Sequence, residues 1–215
     1  WTLDAFQRNG LGSFVFVGGY LKHLVEAEYP QFTMVENPNW PDTNMLHSLA
    51  CARDFMAQGF YSTYTDTLYR DDAVASLKES PYDITLVMDT LWRERYRFRS
   101  QHPESDGEKM IADGERVVRI SREIRSEEAS GEFTGVLRMT RAGAAQFLAY
   151  YDGLLTSLGA DGIFTAGRPF RHAYVIHQLD QMIQEGIEVH CVSVPGEYHE
   201  IDTLEDHQLA SRAWW

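Results

Sequence analysis

The sequence predicts an α/β fold, a doubly wound Rossmann-like sheet with a small inserted β-rich lobe. Three observations carry the prediction. The runs 13–17 and 83–88 are almost wholly apolar, the composition of strands buried on both faces. Such runs alternate with segments of helical spacing about ten residues long, the rhythm of β-α-β units. The length of 215 residues, with 44% hydrophobic and 24% charged content, suits one soluble domain of this class.

Taken in order, Trp1, Leu3, Phe6 and Leu11 form a helical stripe that Asn9-Gly10 ends. W-T-L-D-A-F-Q-R reads as mid-domain helix and the first residue is not Met, so this reading expects an earlier segment or a longer polypeptide. Residues 13–17 form a strand stopped by Gly18-Gly19, 20–27 a helix and 31–36 the next strand. The loop N-P-N-W-P-D-T-N leads into a helix from 44 to about 56. Residues 59–65 are strand-like with Asp66 at the end, 72–79 are helical, and 83–88 is a strand ending at Asp89. The pattern then changes. Residues 93–99 are a charged run, 101–107 a polar loop, and 109–112 with 116–120 flank Asp113-Gly114, a strong hairpin signal. A strand at 133–139, a helix at 141–158 and a helix at 172–184 ended by Gly186 follow, with no usable pattern at 162–171. The run 189–194 is a strand, and Thr203 with Asp206 makes a capping box that starts a helix running to about Arg212. With no repeat, low-complexity tract or linker, the simplest organisation is a single domain over 1–215, its lobe inserted at about 90–135.

A net charge of −13 argues against a nucleic-acid surface, because no basic face is available to neutralise phosphates. It leaves room for a nucleotide, since carboxylate-bound Mg²⁺ carries polyphosphate into acidic pockets. Cys51 and Cys191 form no CxxC or CxxH pattern and read as reduced core thiols of a cytoplasmic protein. No apolar run approaches the ~18 residues of a membrane span, and no signal peptide is visible.

The stretch E-Y-H-E-I-D-T-L-E-D (197–206) holds five carboxylates and no Lys or Arg. In open α/β sheets ligands bind beyond the carboxyl ends of strands, where Gly18-Gly19-Tyr20, Asp66 and Asp89 fall. Asp66, Asp89 and Asp202 offer oxygen donors that suit Mg²⁺ better than zinc; the alternative is that such residues cap helices or are simply solvated. Glu205 and Asp206 read as helix-start charges. Thr43 or Asn44 caps the helix that follows, and Ser48 lies one turn on; an Asn amide and a Ser hydroxyl on one face can bind a base edge or ribose.

These pieces resemble the nucleotidyltransferase superfamily, and within it the cytidylyltransferases acting on phosphocholine and 2-hydroxyethylphosphonate. The resemblance runs in order through F-V-F-V-G-G-Y (14–20), E-N-P-N-W-P-D-T-N-M-L-H-S-L (36–49) and Y-S-T-Y-T-D (61–66). It continues through I-T-L-V-M-D-T-L-W (84–92), G-E-K-M (107–110), A-S-G-E-F-T-G-V (129–136) and the acidic stretch. That superfamily opens with a strand and a Gly-rich, basic triphosphate loop, and this sequence starts after the position of that loop. The resemblance implies Asp66 and Asp202 as Mg²⁺ ligands, and Thr43, Asn44 and Ser48 as the base-recognition element with Gly19 and Tyr20 near the nucleotide. It implies an acceptor pocket of Asp89, Trp92, Glu132, Tyr198 and Glu200, with Lys109 on the acceptor phosphate or phosphonate. His199 stands where relatives often have Trp, which weakens a choline-type aromatic box.

The implied activity is Mg²⁺-dependent transfer of CMP from CTP to a small phosphonate or phosphate, with release of pyrophosphate. A 2-hydroxyethylphosphonate-like acceptor is favoured, and the resemblance allows fusion to a mutase domain in the full-length chain. Phosphocholine cytidylyltransferase, sugar-1-phosphate nucleotidyltransferase and an inactive nucleotide-binding or regulatory domain are the alternatives. Partners expected are CTP and that acceptor, with no nucleic acid and no membrane.

Overall fold

The computed structural model describes residues 2–213. Trp1 lies outside them. The rest of its stripe is seen in α1 (Thr2–Arg8), with Phe6 buried, and Gly10 at φ +81° turns the chain out of the helix as expected. The chain divides into two compact units, Trp1–Leu11, Tyr61–Arg138 and Ile183–Trp215 in the first, Gly12–Phe60 and Met139–Met182 in the second.

The second unit begins with β1 (Val15–Gly18), α2 (Lys22–Glu28) and β2 (Thr33–Glu36), a β-α-β unit whose strands pair in parallel. It continues with α3 (Met45–Cys51) and ends with α6 (Arg141–Leu158) and α7 (Val175–Gln184). Helix α6 has the predicted bounds because Thr140 caps it, its hydroxyl accepting from the Gly143 amide. Leu46, Phe147, Ile176, Leu179 and Met182 are buried in this unit, and the buried Gln178 amide donates to the Phe147 carbonyl at 2.8 Å.

The first unit carries most of a six-stranded sheet. Its strands are β3 (Gly59–Ser62), β5 (Ile84–Asp89), β6 (Lys109–Asp113), β7 (Arg116–Ser121), β8 (Gly131–Thr140) and β9 (His190–Val194), in the order β3-β8-β5-β9-β7-β6. The α/β class is as predicted. The β5–β9 pairing is parallel, whereas the β6–β7 hairpin at Asp113-Gly114 and the β6–β8 and β7–β9 pairings are antiparallel. The sheet is therefore mixed.

Two features of this unit depart from the sequence reading. The strand expected over 59–65 stops at Ser62, where Thr63 and Thr67 hydroxyls turn onto the Tyr64 carbonyl. A separate short strand, β4 (Thr67–Tyr69), then pairs antiparallel with β10 (Tyr198–Glu200), so Asp66 opens β4 instead of closing β3. The charged run 93–99 is also structured: α5 (Trp92–Tyr96) continues through a turn in which the Arg99 amide donates to the Tyr96 carbonyl. The unit's remaining helices are α4 (Asp71–Glu79) and α8 (Leu204–Ala213). Among the described residues, no helix is long and apolar enough to cross a membrane.

Candidate active site

The β4–β10 ladder brings the two expected metal carboxylates together. Glu200 pairs with Thr67, and beyond it the Ile201 amide donates to the Asp66 carbonyl at 2.8 Å, so Asp66 and Asp202 flank the ladder's end. Asp66 reaches solvent, yet loss of water to the surrounding protein lifts its carboxyl above the ordinary range, and the charge on Asp202 adds to the effect. Glu200 is pushed up to about 8, first by burial and then by Asp202 and Glu132. Clustered anions of this kind favour a bound cation. The atoms that Asp66 and Asp202 could offer such a cation are oxygens, the donors a hard ion requires. A ligand atom each from His102, Glu200 and Asp202 also lies within 4.8 Å of the others, so Asp202 is common to both sets.

The remaining acidic residues are organised by two arginines. Arg99 has a side chain only 1% exposed, and it holds Asp206 through two bonds of 2.7 and 3.1 Å. It also reaches Asp202 at 3.0 Å and stands 3.5 Å from Glu200. Asp206 is thus a buried anchor and not a plain helix-start charge: against burial, Arg99 and Thr203 hold its carboxyl below the ordinary range. Glu205 likewise has a partner, accepting from the Ser100 amide and hydroxyl at 2.6 and 2.8 Å and from the Gln101 amide at 3.1 Å. His102 Nδ1 lies 2.9 Å from Asp202 Oδ2.

Arg95 gathers three of the residues expected around the acceptor. Its Nη1 donates to Asp89 Oδ2 at 2.9 Å, its Nη2 pairs with Glu132, and its guanidinium lies 4.3 Å from the Tyr198 ring centre. Trp92 is buried edge-on against Tyr96. Lys109 sits opposite Glu132 in the β6–β8 register. Its ammonium donates to the carbonyls of Glu104, Ser105 and Gly107 at 3.4, 3.2 and 3.1 Å, and burial lowers its pKa. Next to this network a cavity of about 660 Å³ is lined by Trp92, Tyr96, Arg99 and His102 and by Glu127 and Ser130.

The nucleotide-side candidates lie in the second unit. Asn44 is the helix cap, its side chain accepting from the Met45 amide at 2.7 Å. Thr43 and Ser48 are held together by a residue the sequence reading passed over. The buried Asn37 amide donates to their hydroxyls at 2.9 and 3.0 Å, and its oxygen accepts from the Asn39 amide at 3.0 Å. Gly19 lies under the Trp40 ring, where a Cβ would come within 2.3 Å of the indole, so only glycine fits. Tyr20 and Trp40 stand 5.3 Å apart and both are exposed, offering aromatic faces that the sequence reading counted only for Tyr20.

The fold has precedents among known proteins. No protein-family model matches the chain. The CTP:phosphoglutamine cytidylyltransferase of Campylobacter jejuni is 22% identical over 219 residues, spanning 97% of this chain and 85% of that protein. Among solved structures, the inositol-1-phosphate CTP transferase from T. maritima superposes with a TM-score of 0.72 at 19% identity, over 96% of this chain and 76% of that one. The CTP:phosphocholine cytidylyltransferase from Streptococcus pneumoniae gives 0.68 at 18% identity, over 100% and 83%. This is the nucleotidyltransferase fold, with cytidylyltransferases among its homologues.

In the first unit, the missed Arg95, Tyr96 and Arg99 share one sequence signal with the predicted Trp92. Trp92, Arg95, Tyr96 and Arg99 stand at i, i+3, i+4 and i+7, the spacing of an inward helical face. Arginine on that face obscured it, because a charged run ordinarily reads as solvated.

Proposed function

We propose that this chain is a cytidylyltransferase that moves CMP from CTP to a small phosphonate or phosphate, with a 2-hydroxyethylphosphonate-like acceptor favoured. The observation that carries the reading is the juxtaposition of Asp66 and Asp202 at the end of the β4–β10 ladder, beside an anchored acidic cluster. The homologues named above as CTP-dependent transferases acting on phosphorylated small molecules support it.

In the reaction, an oxygen of the acceptor's phosphonyl or phosphoryl group attacks the α-phosphorus of CTP. The new P–O bond forms as the bond to the bridging oxygen breaks, and pyrophosphate leaves with that electron pair. The attacking oxygen is already anionic at neutral pH, so no strong general base is needed, and the barrier is orientation and charge repulsion. Asp66 and Asp202 would hold Mg²⁺, which when bound supplies charge neutralisation for the triphosphate. Thr43 and Ser48, fixed by Asn37, present hydroxyls to the base or ribose, while Gly19, Tyr20 and Trp40 offer a flat surface against it. Lys109, Glu200 and the Arg95 network serve the acceptor.

The test is an acceptor screen on the full-length enzyme with CTP and Mg²⁺, following pyrophosphate. Release is expected with 2-hydroxyethylphosphonate above phosphocholine and 2-aminoethylphosphonate. Release only with sugar 1-phosphates would move the assignment to a sugar nucleotidyltransferase, and none with any acceptor would remove the enzyme reading.

A further inference from the structure

Two carboxylates and two phenol rings converge in the first unit around one point. Asp89 and Glu132 are 1% and 3% exposed, and the buried Tyr96 and Tyr198 stand beside them. A set of this kind without a cation of its own would be a site for an ammonium group, since carboxylates neutralise it and ring faces attract it. Arg95 occupies that site. One guanidinium nitrogen donates to Asp89 at 2.9 Å, another pairs with Glu132, and the carbon between them lies 4.3 Å from the Tyr198 centroid and 5.5 Å from that of Tyr96.

The other carboxylate oxygens are also engaged. Asp89 Oδ1 accepts from the Leu91 and Gly196 amides at 2.8 and 2.9 Å, and Glu132 Oε1 accepts from the Tyr96 hydroxyl at 2.7 Å. Gly107 closes the cage from one side, where a Cβ would come within 2.6 Å of Glu132 Oε1. A second cation would find each of the four oxygens already bonded. Two donors remain: Arg95 Nε and Arg99 Nη1 are buried with no hydrogen-bond partner among the described residues, though Arg99 Nη1 stands 3.5 Å from Glu200 Oε2. A neutral hydroxyl can accept from such groups, whereas an ammonium is repelled by them.

We propose that Arg95 is a built-in counter-cation that sets acceptor specificity, barring acceptors with an ammonium tail and admitting those whose tail is a hydroxyl or otherwise uncharged. This rests on the cytidylyl-transfer reading, which puts the cage beside the acceptor. The first experiment needs no turnover: thermal unfolding of full-length wild type and Arg95→Ala, without nucleotide, in tetramethylammonium chloride against sodium chloride at equal ionic strength. Wild type is expected to melt alike in both salts. Arg95→Ala is expected to be destabilised in sodium and to recover in tetramethylammonium. Stabilisation of wild type by tetramethylammonium, or no response of the variant, overturns the proposal. Should Arg95→Ala not fold alone, refolding with tetramethylammonium or millimolar guanidinium decides in the same way, recovery supporting the proposal and failure overturning it.

The second experiment compares kcat/KM for 2-hydroxyethylphosphonate and 2-aminoethylphosphonate. Wild type is expected to favour the hydroxyl compound by about tenfold or more, and Arg95→Ala to narrow or invert the ratio. An unchanged ratio overturns the specificity claim. Absence of transfer to every acceptor overturns the acceptor half together with the transfer reading, while the salt comparison still reads the cage by itself.

Discussion

Asp202 is the residue on which the proposed metal site, Arg99 and His102 converge, and its neighbours say what its removal does. Its Oδ2 accepts from Arg99 at 3.0 Å and lies 2.9 Å from His102, but Arg99 is anchored chiefly by the two bonds to buried Asp206. Asp202→Asn therefore keeps the scaffold and removes a charge: pyrophosphate release is expected to fall by about 10²–10³-fold, the scale of one electrostatic contribution. Far-UV circular dichroism is expected to stay at the wild-type level. Turnover at the wild-type rate would end the metal assignment. Asn37 poses the same question on the nucleotide side. One amide nitrogen holds two hydroxyls, so Asn37→Ala frees both Thr43 and Ser48 from their fixed directions. KM for CTP is expected to rise by about tenfold with kcat nearly unchanged, the signature of lost uniform binding. An unchanged KM would detach this cluster from base recognition.

The α8 start shows what sequence spacing resolves at the level of an element and what it leaves hidden. The capping box is present with both halves formed, the Asp206 amide donating to the Thr203 hydroxyl at 3.2 Å and the Thr203 amide to the Asp206 carboxylate at 2.9 Å. Spacing alone sufficed there because a capping box is a local interaction. The partner across the chain was not legible: Asp206 also carries Arg99, more than a hundred residues away in sequence. The β4–β10 pairing was missed for a related reason. Each strand has three residues, too few for a period-two pattern, and their pairing is set by distant contacts such as Leu68 packing with Ala210 and Ile201. Thr203→Ala tests the local part. It removes the cap and one donor to Asp206 while the Arg99 bonds stay, so a loss of about 1 kcal/mol in chemical denaturation is expected. A loss below about 0.3 kcal/mol would mean that Arg99 alone fixes the helix start.

For the molecule as a whole, the apolar runs and the ordered motifs were enough to read the α/β class, because buried strands and capped helices leave composition signals. Arg95 was not readable in the same way: Asp89 is only 6 residues away, but the burial of Arg95 also depends on Glu132, 37 residues further along the chain. Buried charge also governs how stability responds to pH in a chain of net charge −13. Glu108 is the clearest case. Burial pushes its carboxyl up to about 7, although Arg122 at 3.4 Å and the Tyr64 hydroxyl at 3.4 Å pull the other way. A carboxyl whose folded pKa lies above the ordinary 4.5 binds its proton more tightly in the native state. Its contribution is full below about pH 4.5 and is lost as pH rises through about 7. Asp206, held below 3.8, acts in the opposite sense and its contribution fails only on stronger acidification. Glu108→Gln keeps the shape and removes the titration. Compared with wild type by urea denaturation, it is expected to lack the decline between pH 5 and 8 and to gain on the order of 2 kcal/mol at the upper end. Parallel curves for the two proteins across that range would show that Glu108 is ionised in the fold throughout, held by Arg122 against its burial.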